Sequence, residues 1–145
     1  MIYAISTYSD PIAALIKDDP VRPHIPIEQR FDKNCQVLAL KTNDAINAIV
    51  CAKLCAGVPT SEQELLSNSS ENPDTVVFYT IWSYSPGAGQ QLIIEGLDYV
   101  KKKLPQVTKF VTLSPPTEMA RRFHLKNGAS IYRVNNDSVN YEYTK

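Results

Sequence analysis

With 145 residues, 43% of them hydrophobic, and fifteen basic residues balanced by fifteen acidic ones, residues 1–145 are enough for one domain with a substantial core and too few to suggest two. The cancelled charge supplies no global field toward nucleic acid or an anionic membrane, so neither is expected as a partner. No apolar run reaches the length of a bilayer span, and the opening MIYAIS has no basic segment, so it reads as a first strand and not as a signal peptide.

Ile2 to Tyr8 alternates as a strand. Asp10-Pro11 supplies an N-cap and a first-turn proline for a short helix over Ile12 to Lys17, which Pro20 stops. A proline-rich stretch then leads to a second short helix near Pro26 to Phe31. Gln36 to Lys41 and Ala45 to Leu54 read as strands joined in a hairpin across Thr42-Asn43-Asp44. Gly57-Val58-Pro59 breaks the chain, and Thr60 with Gln63 resembles a capping box before a short helix from Glu62 to Leu66. The polar run Ser67 to Asp74 is an exposed loop.

The most informative stretch comes next. Val76 to Trp82 is a β-branched and aromatic strand that breaks at Ser85-Pro86-Gly87-Ala88-Gly89. A helix follows, with Leu92, Ile93, Gly96, Leu97, Val100 and Leu104 on one face and Lys101 to Lys103 at its C-terminal end, where cations suit the macrodipole. A strand feeding a glycine-bearing turn into a helix aims unpaired N–H groups at one point, which suits a diphosphate. Lys109 to Leu113 is a short buried strand; Ser114-Pro115-Pro116-Thr117 turns into a helix, Glu118 to Lys126, closed by Asn127-Gly128. Ile131 to Val134 and Val139 to Tyr143 form a second hairpin. The order predicts an α/β (α+β) domain with a mixed, largely antiparallel sheet of about six or seven strands flanked by helices.

Cys35, Cys51 and Cys55 are odd in number, and two cysteines four apart without a second pair make a poor zinc site. They read as reduced thiols packed as small hydrophobes, which points to the cytoplasm and to no metal.

This order, with the turn Tyr84-Ser85-Pro86-Gly87-Ala88-Gly89 after the fourth strand, resembles the GNAT N-acetyltransferase superfamily. The resemblance implies that the turn holds the pyrophosphate of acetyl-CoA or another acyl-CoA through the amides of Gly87, Ala88, Gly89 and Gln90. Tyr84 stands where the family has Gln or Arg, and Pro86 removes one donor. It further implies that Tyr79, Ile81 and Trp82 offer backbone pairing to the pantetheine arm. Ala120-Arg121-Arg122-Phe123-His124, ending in Asn127-Gly128-Ala129, is similar to the family's second motif. His124 falls where many members have a tyrosine that protonates the CoA thiolate; a histidine on an exposed helix face is the other reading. Arg22, His24, Glu28 and Arg30 lie where the family builds its acceptor pocket, for a small-molecule or protein amine; a solvated loop also accounts for each.

VVFYTIWS followed by FVTLSP is also similar to the malonyl-CoA decarboxylase catalytic domain, itself a GNAT fold. That likeness implies a catalytic Ser114, whose partner histidine in that enzyme lies much further downstream than any here; a turn or helix-cap serine is the plainer reading. Three functions follow: an acyl-CoA-dependent N-acyltransferase by direct attack on the thioester, a non-catalytic acyl-CoA-binding or regulatory protein, and a CoA-thioester decarboxylase. An exposed sixth or seventh strand leaves a homodimer open, though no residue pattern points to one.

Overall fold

Seven strands form one sheet in the computed structural model, which describes residues 1–144. They are β1 (Ile2–Ile5), β2 (Cys35–Thr42), β3 (Ala45–Cys55), β4 (Thr75–Ser83), β5 (Lys109–Thr112), β6 (Ser130–Val134) and β7 (Val139–Tyr143), in the order β1-β2-β3-β4-β5-β7-β6. Every neighbouring pair is antiparallel except β4 and β5. A parallel pair needs a crossover, and the helix α2 (Ala88–Lys103) supplies it.

β1 stops short of Tyr8 because Thr7 to Asp10 closes a turn, with Asp10 N–H donating to Thr7 O at 3.2 Å. Both short segments after it are 3-10 helices, Pro11–Asp18 and Ile27–Phe31. Ala13 and Ile16, the buried residues of the first, lie three apart, which suits three residues per turn. The capping box is shifted by one residue from Thr60 and Gln63. Ser61 Oγ accepts the Glu64 N–H at 3.1 Å, and Glu64 reaches back to the Thr60 N–H at 2.9 Å, opening α1 (Glu62–Ser67).

The sheet is covered on both faces. Leu38, Leu40, Val50, Val76 and Phe78 meet the inward stripe of α2, Leu92, Ile93, Leu97 and Val100. The helix α3 (Glu118–Lys126) adds Phe123 and Leu125 on the same side. The opposite face, with Val37, Ile49, Cys51, Val77 and Tyr79, is covered by Ala13 and Ile16, Ile25 and Leu65 from the 3-10 segments, their connecting loop and α1. Cys51 and Cys55 are buried free thiols that burial pushes up to about 12 and about 11.

Two irregularities in β4 matter most. Against β3, Cys51 pairs with Thr80 and Ala52 with Phe78, so Tyr79 is an extra residue that bulges the strand. Against β5, pairing ends at Phe78 and Thr112, so the two strands part and the rest of β4 presents an edge to a cleft. β-bulges bend their strand, and this bend separates β4 from β5.

The loop above that gap is folded by a buried ion pair. Arg30 Nη1 donates to Asp19 Oδ2 at 2.6 Å, with side-chain exposures of 1% and 0%. Arg30 Nη2 donates to Arg22 O at 2.6 Å, while Asp19 Oδ1 accepts from Val21 N, Arg22 N and Thr80 Oγ1 at 2.8, 3.0 and 2.8 Å. Burial opposes the charge on Asp19, but these donors hold its carboxyl below the usual carboxylate range. Removing one partner strands the other in the core. Arg30→Ala is expected to lose about 3–5 kcal/mol of stability in urea unfolding; a loss below about 1 kcal/mol, the surface-pair range, would show the pair to be incidental.

Candidate functional site: the cleft at the β4–β5 splay

A cavity of about 530 Å³ opens where β4 leaves β5. Its walls come from β4 (Phe78 to Ser83), the start of α2 (Gly89, Ile93), the end of β5 with its following turn (Ser114, Pro115), and α3 (Phe123, His124). Of the residues proposed from sequence, Tyr79, Ile81, Trp82, Gly89, Ser114 and His124 meet in this one cavity. Val21, Thr80 and Met119 line it as well and carried no sequence signal.

At the cleft's end lies the N-terminus of α2. Gly87 caps it in the left-handed region, φ +80°, a conformation glycine adopts without strain. Ala88 N–H is already bonded to Ser85 O at 3.2 Å, so it is not a free donor as the sequence suggested. Gly87, Gly89 and Gln90 N–H have no backbone acceptor among the described residues. Gly89 has a second role: a Cβ there would stand 3.1 Å from Phe123 Cε1, so the residue lets α3 pack close to α2. Tyr84 points away, its hydroxyl donating to Asp18 Oδ2 at 2.9 Å and accepting from Trp82 Nε1 at 3.0 Å. It ties the turn to the first 3-10 helix.

His124 is not on an exposed helix face; it is 5% exposed. Its ring stacks on Tyr141 at 5.0 Å between centroids and meets Phe123 and Tyr143 edge-on at 5.1 and 5.9 Å. Nδ1 and Tyr143 Oη lie 2.8 Å apart. Burial raises the Tyr143 phenol, so it is un-ionised, and it has no other hydrogen-bond partner among the described residues. Such a phenol donates to Nδ1, which leaves the imidazole proton on Nε2. Burial in this aromatic cage lowers the His124 pKa to about 4. A cationic ring ready to protonate a thiolate is therefore not what the site offers; at neutral pH it offers a neutral N–H donor.

Ser114 is 4% exposed and forms a β-bridge with Val139, so it is not a helix cap. Thr117 is the cap, accepting Ala120 N–H at 3.2 Å. Ser114 Oγ donates to Thr112 Oγ1 at 2.8 Å, and the same Thr112 oxygen accepts Tyr141 N–H at 3.1 Å. His124, ten positions along the sequence, lines the same cavity as Ser114.

The four residues proposed for an acceptor pocket do not form one site: Arg22 and His24 share Glu62, while Arg30 is turned into the core with Asp19. Arg22, far from solvated, donates Nε to Tyr79 O at 2.9 Å, Nη2 to Leu113 O at 2.8 Å and Nη1 to Glu62 Oε1 at 2.7 Å. His24 is exposed and lies 2.6 Å from Glu62 Oε2. Burial resists the Glu62 charge, but His24 and Arg22 hold its carboxyl below its ordinary range. Glu28 is exposed.

The buried histidine fixes a pH dependence. A ring that ionises near 6.5 unfolded and near 4 folded binds more protons unfolded, so its contribution is present above pH 6.5 and lost as pH falls toward 4. Denaturant unfolding at pH 7 and pH 4 is expected to differ by about 3 kcal/mol from this group. His124→Gln should flatten the slope across that window; an unchanged slope would mean that the ring titrates normally.

No family model and no curated protein sequence matches the chain. Solved structures do. Malonyl-CoA decarboxylase from Agrobacterium vitis is 18% identical with a TM-score of 0.82, over 100% of this chain and 60% of that one. The GphF GNAT-like decarboxylase in complex with isobutyryl-CoA is 17% identical, TM-score 0.68, over 99% and 98%. PaiA N-acetyltransferase from Thermoplasma acidophilum, in complex with coenzyme A, is 11% identical, TM-score 0.65, over 100% and 99%. The chain thus spans about 60% of the Agrobacterium enzyme's length. These likenesses run over 99–100% of the chain, which has the GNAT fold.

Proposed function

We propose that this chain binds a coenzyme A thioester in the β4–β5 cleft and decarboxylates a malonyl-type acyl group there. The observation that carries the reading is the meeting of Ser114 and His124 in one largely apolar cavity beside an unpaired strand edge and a helix N-terminus. The Gly87, Gly89 and Gln90 amides suit the diphosphate, and the free edge of β4 suits an extended amide-bearing arm.

The chemistry needs no second substrate. The bond from the α-carbon to the carboxylate breaks and CO2 leaves. The electron pair flows into the thioester as an enolate, and a solvent proton returns to the α-carbon. Apolar walls penalise the localised carboxylate more than neutral CO2 and a delocalised enolate. A neutral imidazole N–H stabilises developing negative charge without itself being an acid strong enough to give the proton away. Ser114, its hydroxyl now resting on Thr112, can turn toward the same oxygen.

The second reading is acetyl-CoA-dependent transfer to a small-molecule or protein amine, supported by the shared fold with the PaiA enzyme. The product thiolate would then take its proton from somewhere other than His124, which is neutral at pH 7. A third reading, binding without turnover, keeps the same cofactor contacts.

Incubation with malonyl-CoA, and in parallel with acetyl-CoA and mixed primary amines, separates them. Decarboxylation releases CO2 and leaves the thioester intact, whereas transfer releases free thiol. Ser114→Ala and His124→Gln are each expected to lower kcat by about 100-fold with coenzyme A affinity little changed. Free thiol without CO2 would favour the second reading, and neither product the third. For the cofactor itself, Gln90→Glu places a carboxylate among the proposed diphosphate donors, where it also suits the helix dipole. Calorimetry should show coenzyme A binding weakened by about tenfold or more, about 1.4 kcal/mol, with no fall in melting temperature. Unaltered affinity would remove the α2 N-terminus from the site.

A further inference from the structure

Two cavities with no lining residue in common lie near the splay, and the Arg22 guanidinium is hydrogen-bonded to a wall residue of each, Tyr79 of one and Glu62 of the other. Pro20 and Val21 line the thioester cleft, but the next residue, Arg22, lines a separate polar cavity of about 660 Å³ with Thr60, Glu62, Asn135 and Asp137. Its guanidinium crosses the gap where β4 and β5 part, tying Tyr79 O to Leu113 O, and Glu62 anchors its remaining nitrogen. The side chain is only 11% exposed. Its backbone is fixed by the buried pair, since Arg22 N–H donates to Asp19 Oδ1 at 3.0 Å and Arg22 O accepts Arg30 Nη2 at 2.6 Å. Five N–H donors in a rigid fork make arginine suited to such a staple, and three are used here to join β4, the residue just after β5 and α1.

We propose that Arg22 closes the inner end of the cleft against a second substrate and thereby sets the reaction type, confining a bound thioester to chemistry within its own acyl group. The proposal rests on the CoA-thioester reading of the cleft. The cavity behind the staple carries the carboxylates of Glu62 and Asp137, which suit the ammonium end of a diamine whose other, uncharged nitrogen is the nucleophile. With the staple gone, a primary amine arriving from that side meets the thioester. Its nitrogen bonds to the carbonyl carbon, the carbon–sulfur bond breaks, and the thiolate leaves with the electron pair. The proton lost by the amine passes to Glu62, freed of its arginine, and reaches the thiolate through solvent.

The test uses acetyl-CoA with 1,3-diaminopropane and reads the N-acetylated amine by mass spectrometry alongside free thiol. Wild type is expected to give no amine-dependent product, and Arg22→Ala an amine-dependent rate at least about tenfold above it, since only access and orientation change. A loss of structure alone cannot produce that gain. Transfer by wild type at the rate of Arg22→Ala overturns the proposal without touching the decarboxylation reading, which is scored by CO2 from malonyl-CoA. A folded Arg22→Ala that binds coenzyme A and gains no transfer overturns it too. Should Arg22→Ala fail to fold, Arg22→Lys, whose single ammonium cannot span both carbonyls as the fork does, takes its place with the same two outcomes. Absence of coenzyme A binding to wild type in calorimetry overturns the thioester reading and this proposal together.

Discussion

The Asp19–Arg30 pair is the constraint on which the site depends. Both charges are shielded from water, so their cost is offset only by a complete set of partners, and that set reaches across three elements. Thr80 Oγ1 ties the pair to β4 just past the bulge, and the Arg22 backbone ties it to the loop above the splay. The loop cannot move without leaving a buried charge unmatched. Hydrophobic covering alone would hold Ile25 and Ile16 against the sheet without fixing where Arg22 points; the ion pair fixes it.

From that constraint the cleft acquires two unlike ends. At one, the α2 N-terminus presents backbone donors to solvent; near the other, the Arg22 guanidinium is already occupied by two carbonyls and a carboxylate. Between them sit an apolar wall and a histidine kept neutral by its aromatic neighbours. On the proposed reading, such a site stabilises charge that develops on a thioester oxygen, and among the described residues no free base for an incoming amine stands beside it. The fold alone does not choose between the two chemistries, since structures similar to this chain include both a decarboxylase and an acetyltransferase.

Much of this was legible in the residues. Strand spacing, Gly128 with its φ of +99° at the end of α3, and the run from Val76 through Gly89 gave the element order, because local periodicity and turn chemistry agree with the fold there. The capping box slipped by one residue since Thr60 and Ser61 are chemically alike, and only backbone geometry tells which one caps. What a linear reading could not reach was burial. His124 lies between Phe123 and Leu125 on a short polar helix, and nothing in that spacing says that Tyr141 and Tyr143 will enclose it from the last strand. Arg22 and Arg30 stand in a proline-rich loop that reads as solvated; their partners, Tyr79, Leu113 and Asp19, come from three separate segments.

The central claim is that a CoA thioester lies along the β4 edge with its acyl end at Ser114 and His124. An amide and imidazole NMR titration of the wild-type protein with coenzyme A and then malonyl-CoA tests it most directly. The account predicts that coenzyme A shifts the Gly87, Gly89 and Gln90 amides and those of Thr80 to Ser83, and that malonyl-CoA additionally shifts the His124 ring. Shifts confined to other surfaces, or a His124 ring indifferent to the acyl group, would contradict it.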